Sequence, residues 1–160
     1  MAGKIYLVAT PIGNLMDISM RAVQTLKDAD IIACEDTRNT LRLLNHFEIK
    51  AHLTSYHEYN KIEKAVEICK WAKEGKNIAM VSDAGMPAIS DPGYELVDIA
   101  YKEGVEVTVI PGASAVVSAL ALSGISSGRF SFEGFLPADK KERKEILNEL
   151  TNESRTMILY

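Results

Sequence analysis

Cysteine is scarce in this chain of 160 residues: Cys34 and Cys69 are the only two, far apart and each inside an apolar segment. No metal-ligand spacing surrounds either, so no metal is assigned, and both read as buried reduced thiols of a cytoplasmic protein. Glycine and proline, at 10 and 5 residues, are too few for a flexible or low-complexity chain. No apolar run approaches the ~20 residues that a membrane-spanning helix needs. The opening MAGKIYLVATPIG is too short and too soon broken for a signal peptide. A basic stripe is also missing. Net charge is −4, with six basic and six acidic groups in residues 1–50 and six against ten in 51–110. Residues 137–160 carry five of each, so composition does not announce nucleic acid. The fingerprints G-x-G-x-x-G and G-x-x-x-x-G-K-[ST], which cradle phosphates, are both absent.

What remains is a globular composition, 47% hydrophobic and 25% charged, which excludes disorder and a fibrous fold. A domain of this size buries roughly 70% of the surface its unfolded chain exposes, enough for a core without staples. The pattern repeats as short apolar run, polar turn, amphipathic helix. Ile5–Ala9 is a continuous run, as expected of a parallel strand covered on both faces. Ser19 suits the N-cap of a helix through about Lys27, with Val23 and Leu26 inward. Ile31–Cys34 is a second strand, and Thr37 a candidate cap for a helix turning Leu41 and Leu44 to the core. Ala51–Ser55 is a short, polar third strand. Ile62, Ala65, Val66, Cys69 and Ala72 follow helical spacing up to Gly75. Ile78–Val81 and Val105–Ile110 are the fourth and fifth strands, with a helix carrying Leu96, Val97 and Ala100 between them.

Five strands alternating with helices predict an α/β domain over residues 1–112 with a mainly parallel sheet. Past a small-residue helix near Ser114–Leu122 the pattern changes: Phe130–Phe132 alternates, and a charged helix runs from about Lys140 to Leu150. Thr156–Tyr160 then looks like a strand only begun, whereas termini normally end exposed and polar. Residues 113–160 therefore read as the start of a second α/β domain in a fragment.

Ligands of open parallel sheets bind at the carboxyl ends of the strands. Thr10–Asn14, after the first strand, has one glycine and a proline and reads as a rigid turn. Glu35-Asp36 stands where an acidic residue often holds a cofactor ribose, or equally at a helix N-terminus favoured by the dipole. Arg38 and Arg42, on successive turns, face a phosphate or solvent. Ser82–Gly93 spends twelve residues between strand and helix, with two prolines, two glycines and two aspartates. Such a stiff polar loop suits a ligand wall. Pro111–Ala115 feeds a helix N-terminus, whose N–H groups bind a carboxylate or are capped by Ser114. In Ser55-Tyr56-His57-Glu58 the histidine and glutamate are adjacent on a strand, so they need not form an acid–base pair.

Taken in order, Leu7–Leu15, Glu35–Arg38, Ser55–Glu58, Ser82–Gly93, Pro111–Ala115 and Phe132–Pro137 resemble the tetrapyrrole methylase superfamily. Within it the chain is most similar to the branch that methylates small-subunit ribosomal RNA. The resemblance implies a two-domain α/β fold, S-adenosylmethionine in the cleft between the domains, and a homodimer. It implies as substrate the ribose 2′-hydroxyl of a cytidine in the decoding region. It also implies cofactor contacts at Ile12, Asp83, Ala84, Gly85, Met86, Ser114 and Ala115; Met86 stands where the family more often has threonine. Asp36, His57 and Glu58 are the candidates for a catalytic base, and Arg38 for an RNA contact. The alternatives are a precorrin C-methyltransferase, a dinucleotide-dependent oxidoreductase and a non-catalytic module. The glycine-poor first loop speaks against the dinucleotide.

Overall fold

A computed structural model describes residues 2–160. The chain forms two compact units, Met1–Ser114 and Ala115–Tyr160. The first contains β1 (Ile5–Val8), α1 (Met20–Asp28), β2 (Ile31–Cys34), α2 (Thr37–His46), β3 (His52–Ser55), α3 (Lys61–Lys73), β4 (Ile78–Val81), α4 (Tyr94–Lys102) and β5 (Val107–Ile110). The five strands make one parallel sheet in the order β3-β2-β4-β1-β5.

Strand alternation divides the core in two. Ile5, Ile31, Ala33, Ile78 and Met80 pack with Ala65, Ile68 and Ala72 of α3 and Leu96 and Ala100 of α4. Val8, Ile32, Cys34, Ala79 and Val81 pack on the opposite face with Ala22 and Leu26 of α1 and Leu44 of α2. Covering both faces is what makes the strand sequences continuous in apolar residues rather than alternating.

Local chemistry sets the boundaries. Ser19 caps α1 by accepting from Ala22 N–H at 3.0 Å. The cap of α2 is Asp36 rather than Thr37, because its carboxylate accepts from Arg38 N–H at 2.8 Å. Gly104, at φ +69°, ends α4: its N–H donates to Tyr101 at 3.2 Å and Val105 N–H to Ala100 at 2.8 Å. This paired cap takes Val105 out of the strand, so β5 starts at Val107. Two helix faces also differ from expectation. Thr40 and Leu44 turn inward on α2 while Leu41 is exposed. On α3 the buried stripe is Ala65, Ile68, Cys69 and Ala72, and Ile62 and Val66 point to solvent. Both shifts follow i, i+4 geometry about a slightly rotated helix. Cys34 and Cys69 are buried and free.

The second unit contains α5 (Ala115–Leu122), β6 (Phe130–Gly134), α6 (Lys140–Leu150) and β7 (Thr156–Leu159). Its two strands pair in parallel across α6, with an irregularity between Phe132 and Gly134. Phe132 and Phe135 meet the Tyr160 ring at centroid distances of 5.1 and 5.3 Å. No helix among the described residues is long and apolar enough to cross a membrane.

Candidate functional site

From β1 the chain crosses to β2 through α1 on one face, and from β4 it crosses to β5 through α4 on the other. Neighbouring strands β1 and β4 therefore send their following loops apart, and that divergence opens a crevice at their carboxyl ends. The two loops are tied where they part. Thr10 N–H donates to Gly85 at 2.9 Å, and Gly85 N–H donates back to Thr10 at 3.1 Å. The buried Thr10 hydroxyl donates to the Ser82 carbonyl at 3.2 Å. Gly85 has φ +85°, and a Cβ there would lie 3.3 Å from Ile12 Cγ2. Ile12 and the Ala84–Met86 stretch are thus brought side by side. Gly112, after β5, lies so close to β1 that a Cβ would stand 2.9 Å from Ala9 Cβ. The backbone N–H groups of Ala84 and Met86 make no hydrogen bond among the described residues.

Asp83 reaches the other way, toward α2. Its Oδ1 accepts from Asp36 N–H at 3.3 Å and its Oδ2 from Asn39 Nδ2 at 2.8 Å. Asp36 and Asp83, far apart in sequence, are therefore neighbours. Arg38 gives its guanidinium to Asp36, with Nε on Oδ1 at 3.1 Å and Nη2 on Oδ2 at 2.7 Å. The Arg38 hydrogen bonds hold the Asp36 carboxyl down at about 2. Burial, then the carboxylates of Asp83 and Asp91, push the Glu35 carboxyl up. Burial likewise raises Asp91.

His57 and Glu58 follow the edge strand β3, three places from β1, or about 14 Å at ~4.8 Å per strand. His57 keeps a buried Nδ1 without a partner. Glu58 pairs with Lys61 at 2.7 Å, and Lys61 also pairs with the buried Glu95 of α4. Ser114 closes the first unit, and Ala115 opens α5 of the second. No group of three or more His, Cys, Asp or Glu able to hold a metal ion occurs among the described residues.

Beside the β1–α1 loop lies a cavity of about 240 Å³ whose lining includes Pro11, Leu15, Asn39, Arg42, Leu43 and Asp83. Asn39 carries no sequence signal of its own. Only its place on α2, one turn before Leu43 and facing a loop 44 residues away, reveals it.

Known proteins share both the sequence and the fold. Ribosomal RNA small subunit methyltransferase I of Halalkalibacterium halodurans is 56% identical over 99% of this chain, which spans 55% of that relative. The enzyme of the same name from Thermotoga maritima is 50% identical, with 99% of this chain and 71% of the relative covered. That from Escherichia coli O157:H7 is 48% identical, with 99% and 55% covered. The chain thus spans about half the length of most of these relatives. Among solved structures, diphthine synthase superposes with a TM-score of 0.75 at 17% identity, over 99% of this chain and 64% of that one. Uroporphyrin-III C-methyltransferase from Thermus thermophilus gives 0.62 at 21%, over 84% and 61%. These two likenesses speak for the fold. The family model of the tetrapyrrole (corrin/porphyrin) methylases matches residues 4–160, nearly the whole chain, and to that family the chain belongs.

Proposed function

We propose that the complete protein is an S-adenosylmethionine-dependent methyltransferase acting on the ribose 2′-hydroxyl of a cytidine in small-subunit ribosomal RNA. The observation that carries this reading is the 48–56% identity, over 99% of the chain, to ribosomal RNA small subunit methyltransferases I of distant bacteria.

The loops at the β1/β4 crevice fit the cofactor. S-adenosylmethionine has no phosphates, so it needs no glycine-rich cradle, and the first loop has none. The free N–H groups of Ala84 and Met86 suit its carboxylate, and Ile12 beside Gly85 offers an apolar wall. Asp83 supplies a carboxylate for its amino or ribose groups. The family resemblance adds Ser114 and Ala115, at the start of α5, to the cofactor contacts. Position 86 contacts through its backbone in this reading, so methionine serves there as well as threonine.

The bound cofactor supplies a sulfonium methyl group for in-line displacement, and this chain's residues must align the ribose oxygen with it. As the oxygen–methyl bond forms, the hydroxyl proton needs an acceptor. Asp36, held at about 2 by Arg38, takes a proton poorly. Glu35, raised by burial and two neighbouring carboxylates, is better matched. His57 and Glu58 lie at the sheet edge, farther from β1. Mass spectrometry of small-subunit RNA from a deletion strain tests the reading. It should lack one 2′-O-methylcytidine, restored by the complete gene; an unchanged pattern would overturn it.

A further inference from the structure

The cavity beside α2 shares Asp83 with the cofactor reading above, but its other walls play no part in that reading. Its walls are of two kinds. Pro11, Leu15 and Leu43 are apolar, whereas Asn39, Arg42 and Asp83 carry polar groups. At about 240 Å³ it falls below the roughly 300–1,000 Å³ of ordinary small-molecule pockets. That is room for one nucleobase rather than for a macrocycle.

Asn39 and Arg42 are three residues apart on α2, and Leu43 is four from Asn39, so all three share one helix face. Arg38 and Arg42 differ sharply. Arg38 is spent on Asp36, while Arg42 makes no ion pair among the described residues. Asn39 is held by a fixed acceptor. An ionised carboxylate accepts only, so the hydrogen bond to Asp83 Oδ2 at 2.8 Å must come from the Asn39 amide nitrogen. The amide therefore has one orientation. Its carbonyl oxygen and its second N–H remain for a ligand.

We propose that this cavity receives the base of the target nucleotide, that Asn39, oriented by Asp83, reads it as cytosine, and that Arg42 holds an adjoining phosphate. The inference rests on the RNA reading above. Cytosine presents an exocyclic amine beside an unprotonated ring nitrogen, which match a carbonyl acceptor and an N–H donor respectively. Uracil presents the reverse, a carbonyl beside a ring N–H. For a uracil seated in the register of that cytosine, the Asn39 amide would have to turn over, placing its oxygen against the Asp83 carboxylate. The cavity thus discriminates by an unfavourable contact as well as a favourable one. Pro11, Leu15 and Leu43 supply the apolar surface against which a base face rests.

The test compares methyl transfer by the complete protein to reconstituted small subunits carrying cytidine or uridine at the target position. The wild type should prefer cytidine strongly. Asn39→Ala should shrink that preference by about 5- to 150-fold, the discrimination of one bidentate base contact. Asn39→Asp, similar in volume but unable to donate, should shrink it too. Arg42→Ala should lower kcat/KM on both subunits alike and leave the ratio in place. The thermal midpoint should stay close to wild type in Asn39→Ala and Arg42→Ala, which shows that the variants are folded. A cytidine-to-uridine ratio unchanged in both Asn39 variants would overturn the assignment, as would a wild type indifferent to the base. Absence of transfer to either subunit by the wild type would instead overturn the RNA reading itself.

Discussion

Gly93 closes the Ser82–Gly93 loop at φ +150°, where a Cβ would stand 2.9 Å from Met80 Cε and 3.0 Å from Ala88 Cβ. A methyl group there strains the backbone and pushes on the strand beneath the crevice. Gly93→Ala should cost about 1–3 kcal/mol, the usual range for overpacking, and lower the urea midpoint without changing the slope. Asp83 behaves differently. It is exposed, and its structural partners are one backbone N–H and the Asn39 amide. Asp83→Ala should leave the thermal midpoint nearly unchanged and weaken S-adenosylmethionine binding by about 10- to 150-fold, the loss of a charge-assisted hydrogen bond. Calorimetry showing unaltered affinity would remove Asp83 from the cofactor site.

Among the elements, α2 ties the crevice together, since Asp36, Asn39 and Arg42 all project from it or its cap. Its start depends on an ionised Asp36. Because Arg38 holds that carboxyl at about 2, below its ordinary value of 3.8, the contribution is present above pH 3.8 and is lost as pH falls toward 2. Thermal melts from pH 5 to pH 2 should therefore show a fall in wild type that is smaller in Asp36→Ala. Equal falls would show that the Asp36–Arg38 pair adds nothing to the fold. The strands and helices themselves were legible, because continuous apolar runs and capping residues such as Ser19 act locally. Three things were not. The inward faces of α2 and α3 were displaced, since Leu41, Ile62 and Val66 are apolar but have no neighbour to cover them. Insertion of β4 between β1 and β2 leaves no trace in local pattern, yet it alone makes the crevice. The Asp83–Asn39 contact spans 44 residues and depends on that insertion, so the loop was readable as a ligand wall but its partner was not.

At the largest scale, these 160 residues carry net charge −4 and no basic stripe, which attracts a phosphate backbone weakly. Under the RNA reading proposed above, contact would run through local groups such as Arg42. A symmetric dimer would carry two such patches on one particle and raise effective affinity without new chemistry. The complete protein should sediment as a dimer at micromolar concentration; a fully active monomer would contradict this. Methyl transfer to RNA from the β1/β4 crevice is measured with the purified complete protein, S-adenosylmethionine labelled in its methyl group, and unmethylated small subunits. Label should appear on the ribose 2′-oxygen of a single cytidine of the small-subunit RNA. Label on a base, or label accepted only by a tetrapyrrole, would contradict it.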